Sequence, residues 1–298
     1  MDIHQLKSLV TIARCGTVAR AAELLHLSQP AISAHVKQLE EELRVRLFER
    51  HARGMTLTEA GEAVFEHAKR ALHAVEAIRD EANTLNGEVA GELVIGTVNE
   101  PTYLRLPDFL RHMREAAPRV AISLVQTTSG AVIKNIEDGV FDAGFVEGNL
   151  EDSNLDTLLL TRAQFVVGYP AAWHDRVAPG GLAAALGLPW IGTSDDCSYH
   201  KLTRALFAEQ GQAFAPALRT DQEGLLLDLV GQEAGLSLVR RDLIEAHSAG
   251  GVRALAGVAI DAGVHFVAAR SPAKPGLLRV AGRAIRRAWP DRPDPTSR

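Results

Sequence analysis

The chain has 298 residues, 46% of them hydrophobic, which fits two to three domains with a substantial core and excludes wholesale disorder. Two cysteines, Cys15 and Cys197, are too few for a disulfide framework and fit a reducing compartment. The net charge of -5 gives nucleic acid no bulk attraction, but residues 1–58 hold eight Lys/Arg against six Asp/Glu, so DNA binding there would rest on placed contacts. Met1 to Gln5 lead straight into an amphipathic pattern without the basic start and apolar core of a signal peptide. No apolar run approaches the ~20 residues that span a bilayer, so the expectation is a cytoplasmic protein with no membrane partner.

Leu6, Leu9, Val10 and Ala13 fall on one helical face, and Gly16 ends that helix. Thr17 is a good N-cap for a second helix over 18–25, with Ala19, Ala22 and Leu25 facing inward. His26 and Leu27 connect to a third helix, which Ser28 caps and in whose first turn Pro30 is tolerated. Ile32, Val36, Leu39 and Leu43 would bury this helix on the first two, leaving Gln29, Ser33, Ala34 and Lys37 outward. The pattern is a helix-turn-helix, in which Gln29 can pair with adenine in the major groove and Ser33 with base edges or phosphates. Beyond it, Gly54 permits a turn and 55–58 a short strand, a wing whose Arg50 and Arg53 can meet phosphate or the minor groove. The DNA-contacting set is thus Ser28, Gln29, Pro30, Ser33, Lys37, Arg50 and Arg53.

Thr58 can cap a further helix, with Glu59 and Glu62 near its positive end. Val64, Ala68, Ala71, Val75, Ile78, Ala82 and Leu85 step alternately by four and three, a heptad seam suited to pairing two chains. The run from Asn86 to Gly91 ends the helix and marks a domain boundary. Strand and helix patterns then alternate: strands at 92–96, 120–125, 141–146, 165–168, 190–193, near Leu218, at 236–239 and at 264–268. Helices are expected around 106–113, after a Ser129 cap to about Ile136, and over about 199–210, 222–233 and 275–289, with a disordered tail from Pro290.

Ligands of open α/β sheets sit at the carboxyl ends of strands, which here are polar. Those ends place Asn99, Glu100, Thr102, Thr128, Ser129, Glu147, Thr193, Ser194 and Glu223 around one predicted cleft for a small-molecule effector. Glu100, Glu147 and Glu223 would repel a plain anion. Either the ligand brings a cationic or hydrogen-bond-donating group, such as an amine, or a base such as Arg105, Arg219 or His265 neutralises the acids. Cys197 and His200 have C-x-x-H spacing, but two candidate ligands do not make a zinc site. No Walker loop, nucleophile elbow or dinucleotide fingerprint appears, so no metal, cofactor or catalysis is expected.

The run from Ala21 to Ser33, then Leu39-Glu40, Leu47-Phe48-Glu49-Arg50 and Leu57-Thr58-Glu59-Ala60-Gly61, closely resembles the LysR-type transcriptional regulators over about sixty residues. The likeness continues more loosely through Gly96, Tyr103-Leu104-x-Leu106-Pro107, Gly139-x-x-Asp142 and Gly235-x-Ser237-Leu238-Val239. The resemblance implies an α/β protein with a winged helix-turn-helix at 1–58, a dimerisation linker helix at 59–87 and an effector domain at 88–298 of periplasmic-binding-protein type. Its subdomains would cover 91–162 with 266–290, and 163–265. The implied partners are double-stranded promoter DNA, a small-molecule effector and further copies of the chain, as homodimer or homotetramer. The sequence departs from the family pattern at Ala34, where the resemblance implies a base-reading Arg, and at Asn99 and Glu100, where it implies Ser or Thr. A regulator that senses redox state through Cys197, a solute-binding protein, and an enzyme on the same scaffold are the alternatives.

Overall fold

The structure is a computed structural model describing residues 1–51, 54–86, 89–98, 101–150, 155–246 and 251–293, apart from the Thr84 side chain. Arg53, Asn99 and Glu100, and residues 294–298 of the expected tail, lie outside the described residues. Among the described residues no helix is long and apolar enough to cross a membrane. The chain divides into two units, Met1–Val89 with Ser271–Gly276 and Ala90–Arg270 with Leu277–Arg298.

The first unit is assembled by its caps. Asp2 and Gln5 form a capping box that starts α1 (Ile3–Cys15), and Gly16 ends it at φ 75°, where its N–H donates to Ile12 O. Thr17 caps α2 (Val18–Leu25) and Ser28 caps α3 (Gln29–Leu43), each accepting from the backbone N–H three residues on. Leu6, Leu9, Val10, Ile12, Ala21, Ala22, Ile32, Val36 and Leu39 close the three helices on one core. Two part-buried polar links add orientation to that packing: the Ser8 hydroxyl with His35 Nδ1 at 2.8 Å, and the Gln5 amide donating to Gln38 Oε1 at 3.1 Å. A hairpin follows, β1 (Phe48–His51) against β2 (Gly54–Leu57), in register Phe48 to Leu57. Met55 N donates to Gly16 O at 2.8 Å, which seats the hairpin on the end of α1. Then α4 (Glu59–Leu85) runs as one 27-residue helix.

In the second unit β3 (Ala90–Thr97), α5 (Leu106–Ala116), β4 (Arg119–Gln126), α6 (Ser129–Glu137) and β5 (Ala143–Glu147) wind a parallel α/β lobe. Asp142 accepts from Val94 N at 2.8 Å, and Gly139 turns the chain at φ 66° to bring it there. β6 (Leu155–Pro170) leaves that lobe and enters a second, made of α7 (His174–Val177), α8 (Gly181–Leu186), β7 (Ile191–Gly192), α9 (Ser198–Glu209), β8 (Leu218–Arg219), α10 (Glu223–Gly231), β9 (Ser237–Arg240), α11 (Arg241–Ala246) and β10 (Val252–Ala254). β11 (Ile260–Ala269) returns antiparallel to β6 and β5, and α12 (Pro275–Ala288) closes the order. The main sheet runs β10-β6-β11-β5-β3-β4 with β9 also on β6, while β7 and β8 form a separate parallel pair. Each lobe has its own core, Val132, Ile136, Phe141 and Val267 in one and Val166, Ile191, Leu227 and Val239 in the other.

Several expectations change. α6 is capped by Thr128, whose Oγ1 accepts from Ala131 N at 3.3 Å, and not by Ser129, which lies inside the helix. The third strand begins at Ala143 instead of Phe141, because Phe141 turns into the core of its lobe. The strand expected over 165–168 is the last part of a 16-residue strand. The wing has two strands where one was expected.

Gly61 explains one of the quoted sequence matches. A Cβ on it would lie 2.0 Å from Leu47 O, the carbonyl that accepts from Thr58 N, so the first turn of α4 rests directly on backbone. Helix propensity alone would make Gly61→Ala stabilising by about 1 kcal/mol, but a backbone clash cannot be relieved by a rotamer change. The expected outcome in urea or thermal unfolding is a net loss of about 1–3 kcal/mol, and a gain would show that α4 can move off Leu47.

Candidate nucleic-acid interface and ligand cavity

In the first unit Ser28, Gln29 and Pro30 stand exposed at the start of α3. Ser33, Lys37 and Arg50 line one groove of about 560 Å³ between α3 and the hairpin, together with Ala34 and Arg46. Glu40 shapes its floor, since its carboxylate accepts from Leu47 N at 2.7 Å and so folds the chain back toward α3. Lys37 has Glu41 at 3.6 Å, an exposed pair of little weight. Arg46 and Arg50 have no carboxylate partner among the described residues, so their charge is available to an anion at the groove. Arg46 was missed in the sequence because it precedes the wing rather than lying within it.

In the second unit Thr128, Ser129, Glu147, Thr193 and Glu223 line one small cavity, joined by Cys197, Tyr199 and Asp221. It measures about 30 Å³, room for about two water molecules. Glu147 N donates to Ser129 Oγ at 3.1 Å, which ties the end of β5 to the start of α6. Thr193 is 3% exposed, and its hydroxyl, near the Cys197 thiol, has no hydrogen bond of normal geometry among the described residues. Two expected residues lie elsewhere: Thr102 borders a separate hollow beside Tyr103 and Arg105, and Ser194 is half-exposed, contributing its N–H to Asp221 Oδ1 at 2.8 Å.

The base that answers the acids is Arg240, none of the three named from the sequence. Arg105 donates to Ala288 O at 3.1 Å, Arg219 is held by Asp195 Oδ1 at 2.7 Å, and His265 sits on β11 with its Nδ1 unpartnered among the described residues. Arg240, 1% exposed at the end of β9, places Nη1 3.7 Å from Glu147 Oε1 and 3.6 Å from Glu223 Oε1. Its Nε and Nη2 donate to the two oxygens of Asp242, each at 3.1 Å, and its Cζ stacks 3.4 Å from the centroid of the Tyr103 ring. Burial works against the guanidinium charge, but the carboxylates of Glu223, Asp242 and Glu147 outweigh it, and the group titrates above its ordinary range. The Tyr199 hydroxyl donates to Glu223, and burial with the nearby carboxylates holds both Tyr199 and Tyr103 in the neutral phenol form. Arg240 was legible in principle, since it is the next residue after Val239 at the carboxyl end of a strand.

Two family models match the chain. The one described as bacterial regulatory helix-turn-helix protein, lysR family, covers residues 3–62, and the one described as LysR substrate binding domain covers 86–289. The chain is 31% identical to the HTH-type transcriptional regulator IlvR of Caulobacter vibrioides over 82% of its own length and 83% of that protein. It is 35% identical to the HTH-type transcriptional regulator ClcR of Pseudomonas putida over 49% of each, so that match spans about half of either protein. Its fold superposes on a full-length OxyR variant from Pseudomonas aeruginosa with a TM-score of 0.71 at 19% identity, covering 99% of this chain and 98% of the other.

Cys197 bears on the redox alternative. Burial pushes its thiol up from the ordinary value, the reverse of the depressed pKa that makes a cysteine a fast nucleophile. In a Cys15→Ser background, alkylation of Cys197 near neutral pH is expected to be about tenfold or more slower than that of free cysteine. A rate equal to or above that of free cysteine would restore the redox reading.

Proposed function

The chain belongs to the LysR family of bacterial transcriptional regulators, and from that premise we propose that it binds double-stranded promoter DNA through α3 and the wing under the control of a small molecule. The observation that carries this reading is the groove in which Ser33, Lys37, Arg46 and Arg50 face one another beneath the exposed start of α3. In this reading Gln29 and Ser33 read base edges, Ser28 and Pro30 fix the angle of entry, and Lys37, Arg50 and Arg53 neutralise phosphate. The proposed modules are 1–58 for DNA, 59–87 as linker and 88–298 for the effector.

The effector is proposed to bind where Thr128, Ser129, Glu147, Thr193 and Glu223 converge, with the cavity widening beyond its present room for about two waters. The cation there is already engaged by acids, so an incoming ligand meets chiefly hydroxyls and carboxylate oxygens. That favours a ligand that donates hydrogen bonds. The chain is further proposed to pair through α4. On a single copy Ile78 is 70% and Leu85 79% exposed, and Ala71 and Ala82 lie open beside them, which is the part of the heptad seam the first unit does not cover.

Gln29→Ala should weaken binding to the specific operator by about 1–3 kcal/mol, the range for a bidentate base contact, with much less effect on unrelated DNA. Equal losses on both DNAs in a titration at fixed salt would mean that Gln29 reads no base. Ile78→Lys should shift the sedimenting species toward monomer, because a paired seam would bury an uncompensated charge. An unchanged oligomer would remove α4 as the interface.

A further inference from the structure

The outward face of α12 is built from arginine. Leu277, Ala281, Ala284 and Ala288 recur at helical spacing and are buried on its inner side. Arg283, Arg286 and Arg287 stand exposed on the other, with Arg279 half-buried one turn earlier. The helix contains no Asp or Glu. We infer that this face binds the phosphate backbone of double-stranded DNA without reading its sequence, as a second contact separate from the one made by α3 and the wing.

Unanswered charge carries the assignment. The side chains of Arg283, Arg286 and Arg287 have no ion pair or hydrogen bond among the described residues. The nearest acid in sequence, Asp291, follows the helix and pairs with none of them. Like charges three and four residues apart destabilise a helix, so folding does not account for the cluster. Nor is the cluster needed at the negative end of the helix dipole. Arg292 Nη1 donates there to Arg286 O at 3.4 Å and Trp289 O at 3.3 Å, and Arg105 Nη1 donates to Ala288 O at 3.1 Å. Two other guanidinium groups therefore already meet the terminal carbonyls. In a chain of net charge -5 the three exposed arginines are a local excess of positive charge.

The make-up of the face selects the partner. A protein interface has an apolar core within a polar rim, and a membrane surface takes up apolar side chains. α12 exposes no large hydrophobic residue. A Cβ on Gly282, among the arginines, would meet nothing within 4 Å, so the surface there is open. A phosphodiester strand asks for charge alone. One turn separates Arg283 from Arg287, about 6 Å along the helix, while a DNA strand advances about 3.4 Å per nucleotide, so the two arginines fall opposite phosphates about two apart. Such a contact adds affinity for DNA flanking the site that α3 reads and leaves the choice of site unchanged.

The test is fluorescence anisotropy of the full-length protein on a long duplex of mixed sequence, titrated at several salt concentrations. The logarithm of affinity falls with that of salt by about 0.9 for each phosphate neutralised. The triple variant Arg283→Gln, Arg286→Gln, Arg287→Gln should make that slope shallower by about two to three and weaken binding about tenfold or more, with unchanged melting and sedimentation. The same three positions changed to Lys keep the charge and should keep the slope. Lys201→Gln, Arg204→Gln, Arg253→Gln removes equal charge from exposed positions elsewhere in the unit and should move the slope by less than about one. Lys37→Gln with Arg50→Gln should flatten the slope separately, and the two sets together should add. A slope that responds only to Lys37→Gln with Arg50→Gln leaves α3 and the wing as the sole contact and overturns the assignment. Equal losses from the two triple variants would reflect bulk charge and overturn it too, as would absence of binding by the unaltered protein.

Discussion

A guanidinium that is 1% exposed can persist only where the protein replaces the water it has lost, and side chains from four other segments of the larger unit do so for Arg240. Asp242 satisfies two of its nitrogens, Glu147 and Glu223 lie within ion-pair distance of the third, and Tyr103 covers its face. These groups come from β9, the start of α11, the end of β5, the first turn of α10 and the segment before α5. The location is as telling as the partners. Phe165 on β6 pairs with Ile260 of β11 on one side and with Arg240 of β9 on the other, so Arg240 stands where the long strand passes from one lobe to the next. Glu147 and Glu223, one from each lobe, meet across that point.

The smaller unit solves a different problem, which is to present a short helix at a fixed angle. Its core is small, so the caps and the two part-buried polar pairs between α1 and α3 supply much of the specificity. The hairpin is held by contacts that leave no room for side chains, Gly54 against Gly16 O and Gly61 against Leu47 O. Close backbone approach at these points fixes Arg46 and Arg50 relative to Ser33 and Lys37.

Much of this was legible in the sequence because it depends on local chemistry. Thr17 and Ser28 are caps by residue type and position, and the seam from Val64 to Leu85 is a matter of spacing. β1 was hidden because Phe48-Glu49-Arg50-His51 carries one apolar residue in four, and its strand character comes from pairing with β2. The first ten residues of β6 were hidden because three consecutive leucines, Leu158 to Leu160, break the alternation, and the partner strand shifts register at Val264/His265. In the candidate cavity, five of the residues chosen from strand ends converge, whereas Thr102 and Ser194 follow their chains away from it. The sequence points to Arg105, Arg219 and His265 as candidate bases and not to Arg240, because the deciding factor, burial against acids from three other segments, is non-local.

The claim that Arg240 is held by the acids it buries, and is not a passive core residue, is most directly tested by a double-mutant cycle on unfolding free energy. The cycle compares Arg240→Met, Glu223→Gln and the double variant with the unaltered chain. Arg240→Met alone should be strongly destabilising because it leaves two buried carboxylates without their cation, and Glu223→Gln should recover part of the loss. The account predicts a coupling of about 1–3 kcal/mol between the two sites, and effects that add to within about 0.5 kcal/mol would contradict it.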